Sequence, residues 1–218
     1  MILDNFTSQE IRKAIMTDYQ QLMPKLDRIQ HSVVRHVTKY KIKTYGKVFD
    51  LYSKSRNHYK FGVISEEYGG IILQSFSLFY RFYNRPRLIC LFEVDSDSSP
   101  TITIFTYHFI KRYNERLGLN LNSDRISNHI ILNSYDLMLD HIGSHTYFGY
   151  SNQGYTISRK EEDENLMIFK TFLNPEILNN KQRAFYLKLK EGFEKEKEKV
   201  YSHINLVKSI FKLRTLQY

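Results

Sequence analysis

Apolar residues recur near the start of the chain at Ile11, Ile15, Tyr19, Leu22, Leu26, Ile29, Val33, Val37 and Tyr40, each three or four positions after the last. That spacing keeps them on one stripe of a helix. Thr7 and Glu10 stand at the separation of a capping box, in which each side chain satisfies a backbone donor of the first turn. Pro24 falls inside the stripe and takes away one donor, so the pattern predicts a kink, or two helices joined near Met23, within a helical arm of roughly 45 residues.

After Gly46 the chain turns polar and aromatic, and strand character begins at His58-Tyr59-Lys60-Phe61-Gly62-Val63-Ile64. Gly69-Gly70 reads as a turn. β-Branched and aromatic residues over 71–83 and 87–94 predict a hairpin around Asn84-Arg85-Pro86; residues 95–100 form a further turn, and 101–106 alternate like a half-buried strand. From Tyr107 the period lengthens to that of a helix, with Phe109, Tyr113 and Leu117 on its apolar stripe and Gly118 placed to end it. Ser123 is a good N-cap for a second short helix through Ile130 to Leu132. Strands return over 146–148, 155–159 and 166–173, and the acidic run 161–165 fits the exposed tip of the last hairpin. Gln182 to Tyr218 reads as one or two helices with Phe185, Leu189, Phe193, Val200, Ile204, Val207 and Phe211 on their apolar side. The predicted class is α+β in a single domain over 1–218: an antiparallel sheet core with inserted helices at 58–178, flanked by a long N-terminal helical arm at 1–57 and C-terminal helices at 179–218.

Composition supports a packed core, since 42% of the 218 residues are apolar and 15% are Phe or Tyr, with no Trp. A single cysteine, Cys90, excludes a disulfide framework and a cysteine-based zinc cluster within one chain. The N-terminus lacks the basic-then-apolar signature of a signal peptide, and no apolar run reaches the roughly 18 residues that span a bilayer, so the expected location is cytoplasmic with no membrane partner. The net charge of +9 points to an anionic partner, for which nucleic acid is the leading choice. That charge is uneven. Residues 1–60 carry 12 Lys/Arg against 5 Asp/Glu, residues 61–180 carry 10 against 14, and residues 181–218 carry 10 against 4. The basicity belongs to the terminal segments, and the central segment is mildly acidic.

The sharpest local feature is the run 108–116, HFIKRYNER, directly after a predicted strand. His108, Arg112 and Arg116 fall at i, i+4 and i+8, so they share one helix face. Two arginines one turn apart repel unless an anion lies between them. Glu115 can neutralise them on a solvated face; alternatively, the guanidinium pair near a helix start forms a phosphate site. Arg159 is placed to join such a site from a neighbouring strand, and Tyr155 is a further candidate proton donor. Period-2 alternation would put Thr171 on one face with Met167, Phe169 and Leu173, where a hydroxyl among apolar groups needs a partner.

A strand followed by His108-x3-Arg112-x3-Arg116, a glycine-containing hairpin, and a strand ending Ile168-Phe169-Lys170-Thr171-Phe172-Leu173 resembles the core of the RelE-like and BrnT-like ribonuclease toxins, within the wider barnase, EndoU, colicin and RelE group. The resemblance spans roughly residues 100 to 175 and implies a four- or five-stranded antiparallel sheet, metal-independent RNA cleavage, and an acidic antitoxin as partner. It assigns His108, Arg112, Arg116 and Thr171 to the catalytic site, with no cofactor. Such cleavage needs a base for the 2′-hydroxyl, an acid for the leaving oxygen and cations on the phosphate. A histidine at 108 suits the first two roles because an unperturbed imidazole exchanges its proton near neutrality, and the arginines suit the third.

Two other readings stand beside the ribonuclease. Arg35, Lys39, Lys41, Lys43 and Lys47 interleave with Tyr40 and Tyr45, a pattern that holds phosphates by charge and bases by stacking, without chemistry. A protein-interaction role in a mobile element is the third. His141 and His145 are four apart, but Gly143 between them favours a turn, and Asp140 alone does not complete a metal site.

Overall fold

A computed structural model describes residues 7–68, 71–81, 88–92, 101–133, 138–151, 153–161, 166–192, 194–195 and 198–199. The predicted capping box forms. Thr7 Oγ1 accepts from Glu10 N at 3.3 Å, Thr7 N donates to Glu10 Oε2 at 2.8 Å, and helix α1 (Ser8–Tyr40) follows. Pro24 neither breaks nor divides it. Pro24 lies on the exposed side, where water can serve the carbonyl that proline leaves without a donor. α1 ends at Lys41, a left-handed residue at φ 50° whose N–H reaches Thr38 and Val37, while Ile42 N donates to Val37 O at 3.0 Å.

This reversal delivers the chain into a strand that the sequence pattern did not disclose. β1 (Thr44–Tyr52) pairs antiparallel with β2 (His58–Tyr68), so the sheet begins well before residue 58. β3 (Ile71–Arg81), β4 (Leu88–Phe92) and β5 (Thr101–Phe105) complete an antiparallel meander. After α2 (Tyr107–Arg116) and α3 (Ser123–Asn133), a second meander runs through β6 (Met138–Gly143), β7 (Thr146–Ser151), β8 (Gly154–Glu161) and β9 (Leu166–Leu173). β6 is another strand absent from the expected set. The meanders join where β5 and β9 pair in parallel, from Ile102↔Leu166 to Phe105↔Phe169, giving a nine-stranded sheet in the order β1-β2-β3-β4-β5-β9-β8-β7-β6. The class is α+β, and the sheet is mixed at this one seam. The turns expected at 69–70, 84–86 and 95–100, and the acidic tip beyond Glu161, lie outside the described residues.

α1 packs on one face of the sheet. Ile15, Leu22, Leu26, Val33 and Val37 meet Tyr59, Phe61 and Val63 of β2, Leu78 and Tyr80 of β3, Ile102 and Leu166. Each buried aliphatic side chain contributes about 1.5–3 kcal/mol relative to exposure, so the helix is part of the core and not a free arm. Alternate positions on the same strands face α2 and α3, whose cluster gathers Phe79, Phe105, Phe109, Tyr113, Ile130, Ile131, Phe169 and Phe172. Gly62 makes this close packing possible. A Cβ there would stand 2.4 Å from Ile131 Cγ2. α3 is capped one residue earlier than predicted: Asn122 Oδ1 accepts from Arg125 N at 2.9 Å.

The chain divides into two compact units, Met1–Asn174 and Pro175–Tyr218. In the second, a 3-10 turn (Pro175–Ile177) precedes a helix whose start is fixed by reciprocal bonds between Asn179 and Gln182, at 3.0 and 3.2 Å; Phe193, Val200, Ile204, Val207 and Phe211 of the stripe expected over 182–218 lie outside the described residues. Among the described residues, no helix is long and apolar enough to cross a membrane.

Candidate nucleic-acid interface

α2 begins where the sequence placed it. Thr106 accepts from Phe109 N at 3.2 Å and donates to Phe169 O at 3.0 Å, tying the helix start to β9. His108 and Arg112 lie exposed on the outer side. Arg112 Nη1 is 3.3 Å from Glu115 Oε2, and Lys111 Nζ is 3.8 Å from Glu115 Oε1, so one carboxylate serves two cations. Arg116 is half-buried and donates to the backbone oxygen of Phe172, while Asn174 Nδ2 donates to the Arg116 carbonyl at 3.4 Å. One arginine is therefore ion-paired and the other holds the end of β9 in place.

Thr171 is not with them. The β8–β9 ladder runs Ile157↔Thr171 and then Ser158↔Phe169, leaving Lys170 as an extra residue in β9. This bulge resets the alternation. Phe172, not Thr171, joins Phe169 on the α2 face, and Thr171 turns to the face that carries α1. Tyr155 is fully buried and stacked on Phe148 at 4.6 Å; burial raises its hydroxyl to about 12 despite the partial offset from Arg116. Arg159 lies on β8, six strand positions from β1, roughly 29 Å at the usual strand spacing. It joins neither the α2 face nor the basic residues near β1. His141 lies on β6 and His145 in the following turn at φ 62°, and no group of three or more metal-ligating residues occurs among the described residues.

Two basic residues, Arg28 of α1 and Lys47 of β1, do come together at one groove. Ile29 and Val33 of α1 floor a groove of about 540 Å³, Arg28 and His36 line it from the helix, and Tyr45, Lys47 and Phe49 line it from the strand. The geometry follows from two periods: positions 28, 32 and 36 rise along one helix face, and 45, 47 and 49 share one side of β1. His36 sits between two rings, 4.9 Å from Tyr40 and 5.7 Å from Tyr45, tilted by 57° and 60°. Lys39 Nζ lies 5.2 Å from the Tyr40 centroid and Lys47 Nζ 5.0 Å from that of Phe49. Residues 28–47 contain six Lys/Arg and no Asp or Glu. Among the described residues, no carboxylate pairs with Arg28, Arg35, Lys39, Lys41, Lys43 or Lys47.

Of the residues expected as nucleic-acid contacts, Lys39 stands in the last turn of α1 and Lys41 and Lys43 in the connection to β1, and none of the three lines the groove. Arg28, His36 and Phe49 were not singled out from the sequence. Arg28, Ser32 and His36 repeat the i, i+4, i+8 spacing that drew notice to His108, Arg112 and Arg116, yet a helix face becomes a groove only with a second wall. That wall is β1.

A second charged cluster lies on the opposite face. Lys60 is fully buried, with Nζ 3.0 Å from Asp50 Oδ1 and 2.9 Å from Asp124 Oδ1, and His58 Nε2 is 2.6 Å from the same Asp50 oxygen. Burial acts to raise the Asp50 carboxyl, but the hydrogen bonds from Lys60 and His58 outweigh it and the net shift is downward. Asp124 starts α3, so Lys60 bridges that helix to β1 and β2, as a buried ammonium must be paired. On the α1 face, Asp18 accepts from Tyr59 Oη at 2.8 Å and from Asn57 Nδ2; burial, then Asp18, pushes the Tyr59 hydroxyl upward. Both clusters are saturated with internal partners, whereas the groove's cations face outward. No protein-family model matches the chain, and no curated protein or solved structure matches it.

Proposed function

We propose that the chain is a non-catalytic nucleic-acid-binding protein, with RNA as the first ligand to test, and that the groove between α1 and β1 with its basic turn holds the phosphate backbone. The observation carrying this reading is the run of six Lys/Arg over 28–47, none of them ion-paired among the described residues, of which Arg28 and Lys47 line one groove together with His36, Tyr45 and Phe49. Uncompensated cations gain by displacing condensed counterions from a polyanion, and rings supply stacking surfaces. The α2 face supports cleavage less well. His108 is exposed there, but Arg112 is paired to Glu115, Arg116 is tied to a carbonyl, and Thr171 turns to the other side of the sheet.

Fluorescence anisotropy with a labelled single-stranded RNA tests the proposal. Arg28→Gln with Lys47→Gln is expected to weaken binding at least tenfold, whereas Arg112→Gln leaves it within twofold. The opposite ranking overturns the assignment of the groove. A parallel incubation checks for chemistry: cleavage of the RNA by the wild-type chain, abolished by His108→Ala, would restore the ribonuclease reading at the α2 face.

A further inference from the structure

The groove is more than a strip of charge, and its shape sets a requirement on the ligand. A site for backbone alone needs outward cations on a convex or flat surface. Here an open depression of about 540 Å³ is lined on its apolar side by Ile29 and Val33, a volume in the general range of small-ligand sites. His36, Tyr45 and Phe49 line it, and Tyr40, outside the lining but against His36, extends them to a short series in which neither tyrosine is stacked face to face on the histidine. Tyr40 is 59% exposed, so its ring is open to a ligand without any rearrangement of the chain. Lys39 and Lys47 sit over the rings of Tyr40 and Phe49, so a cation accompanies each of these aromatic surfaces.

In a duplex the base faces are already stacked on one another, and only phosphates and groove edges are offered to a protein. Neither can use an apolar floor or a ring face. We infer that the groove binds single-stranded nucleic acid with unpaired bases directed inward onto Tyr40 and Tyr45, and that duplex is held only by the surrounding charge. This rests on the nucleic-acid reading above and sharpens it to a strandedness. Polyanionic protein is the competing occupant, since it matches the charge but leaves the rings unused.

The test compares affinities of the full chain for a single-stranded RNA, a single-stranded DNA and a duplex of the same sequence, and for polyglutamate of similar length. Single strands are expected to bind about tenfold or more tightly than the duplex, the scale of one or two stacked bases. The double variant Tyr40→Ala, Tyr45→Leu is expected to lose that advantage while its duplex affinity stays within twofold; Tyr45→Phe, which keeps the ring, retains it. Circular dichroism melting of each variant reports whether it folds, and Tyr40→Ala alone, at an exposed position, gives the same readout with no buried change. Equal affinity for duplex and single strand, equal losses in both on ring removal, or polyglutamate binding as tight as the single strand overturns this inference. In the first two cases salt-dependent duplex binding would leave the nucleic-acid reading standing; no binding to any nucleic acid would remove both.

Discussion

Lys60 shows what a single residue can be made to do. Its ammonium has no access to water and depends on Asp50 and Asp124, while those two carboxylates are each about half exposed, at 51% and 52%. The dependence is therefore one-sided. Lys60→Met removes the buried charge and returns two solvated carboxylates, so it is expected to change stability by no more than about 1 kcal/mol. Asp50→Asn with Asp124→Asn strands the ammonium and is expected to cost about 3 kcal/mol or more at pH 7, read as a lower urea midpoint at constant slope. The pH dependence has a definite sign. Asp50 is held below its ordinary value of 3.8, so its contribution is complete above that pH and is lost as the medium is acidified through its lowered folded-state value. His129 has its pKa depressed by burial, so the unfolded chain takes up its proton first and stability falls as pH drops below 6.5. Urea midpoints measured from pH 7 to 3 should decline throughout, with the acid-most part of the fall smaller in the Asp50→Asn variant. Neither effect was visible in the sequence, where Lys60 is one basic residue in a strand and its partners lie 10 and 64 positions away.

At the scale of elements, long amphipathic segments were legible and short connecting ones were not. α1, α2 and β5 announce themselves because one side of each is apolar at a fixed period, and β9 does so by its run of β-branched and aromatic residues. β1 was missed because it is an edge strand: Tyr45, Lys47, Phe49 and Leu51 face α1, but the lysine among them hides the alternation. Thr171 was misplaced because strict alternation fails at the Lys170 bulge, and nothing in one strand's sequence announces a two-against-one register with its neighbour. Two substitutions test the packing of these elements. Gly62→Ala must displace Ile131 of α3 and is expected to destabilise by about 1–3 kcal/mol, whereas the same change at Gly192, which has nothing within 4 Å, should not destabilise. Thr106→Ala removes both the α2 cap and the bond to Phe169 O, and an increase in amide exchange confined at first to α2 and β9, with a loss of about 1–2 kcal/mol, is the expected result.

For the whole molecule, the sheet is two meanders joined along one parallel seam, covered by α1 on one face and by α2 and α3 on the other. This arrangement separates the two features that the sequence placed in competition. The His108 face belongs to α2, and the basic groove belongs to α1 and edge strand β1, on the other side of the sheet. The overall charge of +9 therefore describes no single surface; the stretch with six cations and no acid runs from α1 into β1 and gives the groove Arg28 and Lys47, and the mildly acidic central segment supplies the α2 face. The most direct test is the salt dependence of binding to a single-stranded RNA between 50 and 200 mM monovalent salt. If Arg28, Lys39, Lys41, Lys43 and Lys47 together engage about four or five phosphates, log K should fall linearly with log salt at a slope near −3, and the slope should flatten by about 1 to 1.5 in Arg28→Gln, Lys47→Gln. A slope near zero, or one unaltered by that double substitution, would contradict the account.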